Sequence, residues 1–259
     1  MAATVYLIPS LLHEEGLKAI PAYIIDAVKQ CQIFFIENER TARRYLKKLE
    51  KEILIDDYEW FTVPGASQAP GTYNALEIFK QKIKEGKNIG IISEAGCPGV
   101  ADPGQQLVAI AHEMNTEVKP LVGPNSILLA LMASGMNGQQ FKFNGYLPIK
   151  DHERNITIKE LETESAKKNC TQIFIETPYR NNQLLDALLS NCQPSTKICI
   201  AVELTSDKEF IKTKSVSEWK KNKPDIHKRT AIFCLDSMQA LRLQLKLCAH
   251  RCPMWHLTR

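Results

Sequence analysis

Between residues 4 and 122 the chain alternates short apolar runs with amphipathic stretches. The runs at 4–8, 33–37, 53–55, 89–93 and 117–122 have the length and β-branched or aromatic content of strands. Between them, residues 21–29, 41–51, 72–84 and 105–114 place apolar side chains at helical spacing. Strand and helix in regular alternation predict a parallel sheet with crossover helices. After Gly123 the rhythm changes. Helices are expected over 126–134 and 153–168, and strands over 142–145, 172–176, 198–204, 210–215 and 230–235. The strands at 198–204 and 210–215 follow each other too closely for a helical crossover, which predicts a mixed sheet. The fold class is α/β, with a parallel-sheet domain over 1–119, a mixed-sheet domain over 120–236 and a tail over 237–259. The boundary is placed at "KPLVGPNS", near 120–123.

The stretch "ISEAGCPGVADPG", Ile92 to Gly104, packs three glycines and two prolines between a predicted strand and a predicted helix. A simple connection of this kind needs only about 2–6 residues. Gly96 and Gly99 allow backbone to approach a ligand, and Asp102-Pro103 suits a helix start. Ligands of open parallel sheets sit beyond the carboxyl ends of the strands, where this loop lies. A binding loop is therefore expected. The usual phosphate-gripping signatures G-x-G-x-x-G and G-x-x-x-x-G-K-[ST] do not occur, nor do G-x-S-x-G and H-E-x-x-H.

Composition narrows the picture further. A chain of 259 residues that is 44% hydrophobic can bury one large core or two smaller ones, and two are expected. Its apolar runs fall well short of the roughly 20 residues of a membrane-spanning helix, and the N-terminus lacks a leader pattern, so no membrane partner and a cytoplasmic location are expected. Most of the eight cysteines sit in apolar runs and read as reduced, buried thiols. Cys248, His250, Cys252 and His256 cluster in the tail, but their spacing matches no standard zinc pattern and no metal is expected. A net charge of +4 does not by itself announce a nucleic-acid partner.

The ordered segments "GIISEAGCPGVADPGQQLV", "PLVGPNSILLALMASG", "FNGYLP", "IFIETPYR" and "VELTSDKEF" resemble the motifs of the tetrapyrrole (corrin/porphyrin) methylase superfamily. Its most similar branch comprises the small-subunit ribosomal RNA methyltransferases that modify a cytidine 2′-hydroxyl. The resemblance runs from about Val5 to Leu235. It implies two α/β domains with S-adenosyl-L-methionine in the cleft between them, a homodimer, and ribosomal RNA or the small ribosomal subunit as partner. The cofactor contacts it implies, together with the loop argument, are Pro9, Glu94, Ala95, Gly96, Cys97, Pro98, Ala101, Asp102, Ser126, Ile127 and Pro178. The chain departs from that branch at "IPSLLHEEG", where a Gly-Asn-Leu turn is usual, at Glu94 of "SEAGCP", and at Asn38 of "IENER", which keeps Glu37 and Arg40. A methyltransferase of a small molecule such as a tetrapyrrole precursor, and a cofactor-binding module without catalysis, stay open as alternatives.

A ribose hydroxyl is a poor nucleophile, so a proton acceptor would help. Glu37 is the first candidate, with Glu176 and Glu203 as alternatives. Arg180 either clamps a phosphate or structures Glu176. In "GPNSI", Asn125 or Ser126 is expected to cap a helix whose free amides face the cofactor. In "RTARRYLKKLEK", Arg40, Arg43, Arg44, Lys47, Lys48 and Lys51 fall on one helical face, with Glu50 as the acid available for pairing within it. Such a stripe is expected to contact RNA through Arg40, Arg43, Arg44, Lys47 and Lys48.

Overall fold

In the first of two units, β1 (Thr4–Ile8), β2 (Ile33–Ile36), β3 (Glu59–Thr62), β4 (Ile89–Ile92) and β5 (Glu117–Pro120) pair in parallel in the order β3-β2-β4-β1-β5. β2 and β4 are buried at every position because helices cover both faces. β3 and β5 lie at the edges and carry the charged residues Glu59, Glu117 and Lys119, which discourage further strand pairing. Helices α1 (Ile24–Gln30) and α2 (Glu39–Leu49) pack on one face against Tyr6, Ile8, Phe34 and Ile36. Helices α3 (Thr72–Lys84) and α4 (Gly104–Glu113) cover the other face through Phe79, Ile83, Leu107 and Ile110, against Val5, Ile33, Phe35 and Ile91. Burying one such side chain fully contributes about 1.5–3 kcal/mol. The all-parallel sheet is the one expected.

The computed structural model describes residues 3–63, 72–102 and 104–237. The units divide between Ser126 and Ile127, a few residues beyond 120–123, and the first also takes in Thr205–Asp207. The tail cysteines and histidines and Pro103 lie outside the described residues.

The second unit takes in α5 (Ser126–Ser134) from Ile127 onward and continues through β6 (Phe141–Tyr146), α6 (Asp151–Lys168), β7 (Thr171–Ile175), α7 (Asn181–Asn191), β8 (Lys197–Val202), β9 (Phe210–Ser215), α8 (Val216–Lys221) and β10 (Ala231–Asp236). Its sheet runs β6-β7-β10-β8-β9, with β6 and β7 parallel and the remaining pairs antiparallel, the mixed sheet expected. Residues of α6, α7 and α8 bury Phe174, Ile200 and Phe233 in one core, where Trp219 donates its indole N–H to Ile198 O at 2.9 Å. A capping box between Ser215 and Glu218 starts α8.

Two expectations are corrected. The third strand lies at Glu59–Thr62 rather than at 53–55, where Ile55–Asp57 forms a 3-10 turn. Aromatic stacking of Trp60 on Phe34 and Phe61 on Phe35 accompanies that register, while Leu54 points to solvent. The second helix ends at Leu49, which leaves Lys51 outside it. Helices α7 and α8 had not been anticipated.

Candidate functional site

The chain leaves β1 for β2 over the face covered by α1, and leaves β4 for β5 over the face covered by α4. Because β1 and β4 are neighbours, their diverging exits open a crevice at the carboxyl edge of the sheet. The two exit loops meet there. Ser10 N donates to Gly96 O at 2.7 Å, and Gly96 N donates to Ser10 O at 3.3 Å. A Cβ on Gly123, just beyond β5, would lie 2.1 Å from the Cβ of Pro9. Cys97 Sγ lies 3.8 Å from Gly123 O and 3.6 Å from Pro124 O. Glu37, just beyond β2, accepts the Glu94 N–H at 3.2 Å. Three strand exits thus converge on a fourth, the loop from Glu94 to Asp102 that leaves β4.

That loop holds Gly96, Gly99 and Ala101 at φ of 76°, 81° and 61°. Left-handed backbone suits glycine and costs an alanine about 1–2 kcal/mol. Asp102 holds the turn: its Oδ1 accepts Gly99 N at 2.7 Å and Gly104 N, at the start of α4, at 2.8 Å. Burial raises the Asp102 pKa above the ordinary carboxylate value, against those donors and Ser93. Burial also raises Glu37, opposed by the Glu94 N–H and reinforced by the charges of Asp102 and Glu94, and Glu37 and Asp102 line one small hollow with Ser93. Burial raises Glu94 too, opposed by a hydrogen bond with Thr41.

Of the expected cofactor contacts, Pro9, Glu94, Ala95, Gly96, Cys97, Pro98, Ala101, Asp102 and Ser126 belong to the first unit. Glu94, Ala95 and Ala101 are exposed, whereas Pro9, Gly96 and Pro98 are buried. Ser126 is the first residue of α5, and the side chain of the preceding Asn125 bonds to the Cys97 thiol. Ile127 and Pro178 belong to the second unit, where Pro178 O accepts Lys228 N at 2.9 Å. The other carboxylates considered as bases are held by arginines: Glu176 by Arg180 at 2.6 Å, and Glu203 by Arg229 at 2.6 Å. Of the two roles open to Arg180, the structure displays the one that organises Glu176.

The cationic helix is corrected in its pairing. Asn38 caps it through Thr41 N, and acids beyond Glu50 engage the stripe. Glu39 pairs with Arg43 at 2.7 Å, and Glu14, distant in sequence, pairs with Arg44 at 3.0 Å. Glu50 pairs instead with Lys29. Arg43 also lies over the Trp60 ring, 5.3 Å from its centroid. The stripe therefore divides, with Arg43 turned toward β3 and Arg44 and Lys48 turned toward the β1 exit. A cavity of about 300 Å³ opens on that second side, lined by Ser10–Glu14, by Thr41, Arg44, Tyr45 and Lys48 of α2, and by Glu94 and Ala95. Sequence reasoning missed Ser10, Leu11, Leu12, His13, Glu14 and Thr41; the polar "HEE" just past the first strand was the available signal.

The sequence profile of the tetrapyrrole (corrin/porphyrin) methylases matches residues 17–219. The chain belongs to that family. Among curated proteins, this methylase is similar to the ribosomal RNA small subunit methyltransferase I of Bacillus subtilis, 30% identical over 80% of this chain and 66% of that one. The enzyme of the same name from Vibrio cholerae is 34% identical over 55% of this chain and 48% of its own. The chain spans about half the length of the first such relatives it matches. Two solved structures share the methylase fold. The methyltransferase CobJ superposes with a TM-score of 0.56 at 18% identity, covering 91% of this chain and 94% of that chain. Uroporphyrin-III C-methyltransferase from Thermus thermophilus, complexed with S-adenosylhomocysteine, superposes with a TM-score of 0.53 at 14% identity, covering 93% and 100%. The profile match begins at residue 17, so the β1 exit from Pro9 to Gly16 lies outside it.

Among the described residues no cluster of three or more His, Cys, Asp or Glu side chains could hold a metal ion, and no helix is long and apolar enough to cross a membrane.

Proposed function

We propose that this methylase transfers a methyl group from S-adenosyl-L-methionine to the 2′-hydroxyl of a cytidine in small-subunit ribosomal RNA. The observation that carries the reading is the convergence of the β1, β2 and β5 exits on the glycine-bearing loop that leaves β4 at the switch point. The fit to the cofactor is physical: a Cβ at Gly99 would meet nothing within 4 Å, and Glu94, Ala95 and Ala101 stand exposed beside it, leaving the backbone approachable. The sulfonium supplies an already activated methyl group. The chain's tasks are to orient donor and acceptor and to take up a proton. Gly96, Cys97 and Asp102 shape the loop, while Glu37, half-buried beside it, is the proposed proton acceptor. RNA is favoured over a small acceptor by the names of the curated relatives and by the cations of α2. The reading includes a homodimer at work in the cytoplasm, and a metal-free reaction, because the donor needs no Lewis acid.

The decisive measurement is incubation with methyl-labelled cofactor and undermethylated small ribosomal subunits, followed by digestion to nucleosides. Label is expected in 2′-O-methylcytidine. Label in precorrins and none in the RNA would replace this reading with a small-molecule methylase, and label in neither would point to a module without catalysis.

Glu37 has its own signature. A base must be ionised, and burial places its pKa above the ordinary carboxylate value, so activity should fall with pH through an acid limb displaced upward. Glu37→Gln is expected to lower kcat by about 10²–10⁴-fold and to remove that limb. An unchanged limb in the variant would make Glu37 a tether for Glu94 N and nothing more.

A further inference from the structure

The cavity beside α2 has walls of opposite character. Thr41, Arg44, Tyr45 and Lys48 follow one another at helical spacing and form one wall. Opposite them stand Ser10 to Glu14, fixed at their base by the Ser10–Gly96 bridge and by Tyr45, whose hydroxyl donates to Pro9 O at 2.5 Å. Glu94 and Ala95 of the glycine-bearing loop form the third side, and the Glu94 carboxyl is hydrogen-bonded with Thr41. At about 300 Å³ the space lies at the lower end of small-ligand cavities.

Its cations are already engaged by one residue of the chain itself, Arg44 by a carboxylate and Lys48 by a backbone carbonyl. Arg44 Nη2 lies 3.0 Å from Glu14 Oε1, and Lys48 Nζ donates to the Glu14 backbone oxygen. Both partners of the Arg44–Glu14 pair are largely solvent-exposed, with side chains 67% and 79% accessible. An exposed pair of this kind is worth at most about 1 kcal/mol. The two non-bridging oxygens of a phosphodiester offer the same guanidinium a charge-assisted, bidentate contact, and counterions are released as it binds. Glu14 is therefore a weakly held stand-in that a polyanion can displace.

We propose that this cavity is a nucleotide subsite for single-stranded RNA, in which Arg44 and Lys48 take the backbone phosphate whose place Glu14 occupies, and the space toward Glu94 and Ala95 receives the attached nucleoside. The proposal rests on the RNA-methyltransferase reading and adds to it a location. Contact with RNA is concentrated at two cations of α2 rather than spread along the stripe, because Arg43 is turned away to Glu39 and Trp60. The subsite also uses the β1 exit, the segment that lies outside the family match.

The test is fluorescence anisotropy with a labelled single-stranded RNA oligonucleotide over a range of salt concentrations. Wild-type protein is measured alongside Arg44→Ala/Lys48→Ala, Arg43→Ala/Lys47→Ala, Glu14→Gln and a control of equal charge change in the second unit, Lys159→Ala/Lys167→Ala on α6. Loss of that phosphate contact should weaken binding by about tenfold or more and lower the salt slope by roughly 0.7, the value for one phosphate of a single strand. The Arg43/Lys47 pair should lose clearly less, and the α6 pair should match wild type. Glu14→Gln should bind RNA several-fold more tightly, a gain that misfolding cannot produce. Cofactor affinity, measured by calorimetry, should be the same in all the variants.

Equal losses from the Arg44/Lys48 and Arg43/Lys47 pairs would overturn the subsite in favour of a diffuse field, as would a Glu14→Gln protein with wild-type affinity. If wild type labels ribosomal RNA while these variants behave alike, the subsite alone falls. If wild type neither binds nor labels RNA, the parent reading falls and the subsite with it.

Discussion

Replacing Asp102 by alanine should lower cofactor affinity by roughly 5- to 150-fold, the equivalent of the about 1–3 kcal/mol that stranding a buried donor costs. One carboxylate oxygen accepts both Gly99 N and Gly104 N, so the variant strands two amides in a partly buried turn. Stranding a buried donor costs about 1–3 kcal/mol, and losing a helix cap costs about 0.5–2 kcal/mol. The left-handed conformation of Ala101 has to be over-determined by its surroundings, and Asp102 is the neighbour that does so.

Asp102→Asn separates geometry from charge, because the amide oxygen can accept the same two bonds. The sign of the pH effect follows from the raised pKa. Ionising Asp102 costs more in the folded protein than in the unfolded chain, and that cost is absent below the unfolded-state pKa and present in full above the folded-state one. At neutral pH the asparagine variant escapes that cost, which offsets its weaker acceptor. Its stability should therefore stay near wild type while the alanine variant loses about 1–3 kcal/mol. Cofactor binding by wild type should weaken as pH falls through the raised Asp102 pKa, and binding by Asp102→Asn should not follow that titration. Calorimetry across acidic pH, with denaturant melts of the three proteins, reads both effects. Wild-type affinity in Asp102→Ala would show that the loop keeps its shape without the carboxylate.

Both sheets and the glycine-bearing loop between β4 and α4 were legible in the chain because they rest on local patterns. The runs at β2 and β4 announce strands buried on both faces, and "GCPGVADPG" is too rich in turn-formers to be a plain connection. The third strand was misplaced because "ILI" is the more apolar run, whereas the sheet edge is taken by "EWFT", through aromatic pairs that only the fold brings together. The charged helix was legible as a stripe. Its division was not, since Glu14 lies in another loop and its pairing with Arg44 depends on where the β1 exit goes. For the same reason the sequence could not tell Arg43 from Arg44, although one lies over an indole and the other lines a cavity. Glu37, Glu176 and Glu203 all read as strand-end carboxylates. The structure separates them by partner: two are held by arginines and one faces a backbone amide.

Gly123 carries the other large effect. In the sequence it reads as the turn residue that takes the chain out of β5, a role that many residues fill at modest cost. In the fold it is the point where the β1 and β5 exits touch. A methyl group there would sit 2.1 Å from Pro9 Cβ and 2.4 Å from Pro9 Cγ, and a proline ring fixed in a buried loop cannot swing aside. One exit must move. Overpacking of this kind costs about 1–3 kcal/mol, so Gly123→Ala should lower Tm by roughly 2–12 °C, at about 2–4 °C per kcal/mol for a chain near this size. The consequence for function is larger than the loss of stability. Pro9 O accepts the Tyr45 hydroxyl, Ser10 is bridged to Gly96, and Cys97 reaches Gly123 O, so a displacement at Gly123 passes into the glycine-bearing loop from two sides. Cofactor affinity is expected to fall at least tenfold in a protein that remains folded well below its Tm. Gly138 provides the comparison, because a Cβ there meets nothing within 4 Å, and Gly138→Ala should leave affinity unchanged. Equal affinities for Gly123→Ala and Gly138→Ala would mean that the β5 exit yields freely and that the contact with Pro9 does not hold the loop in place.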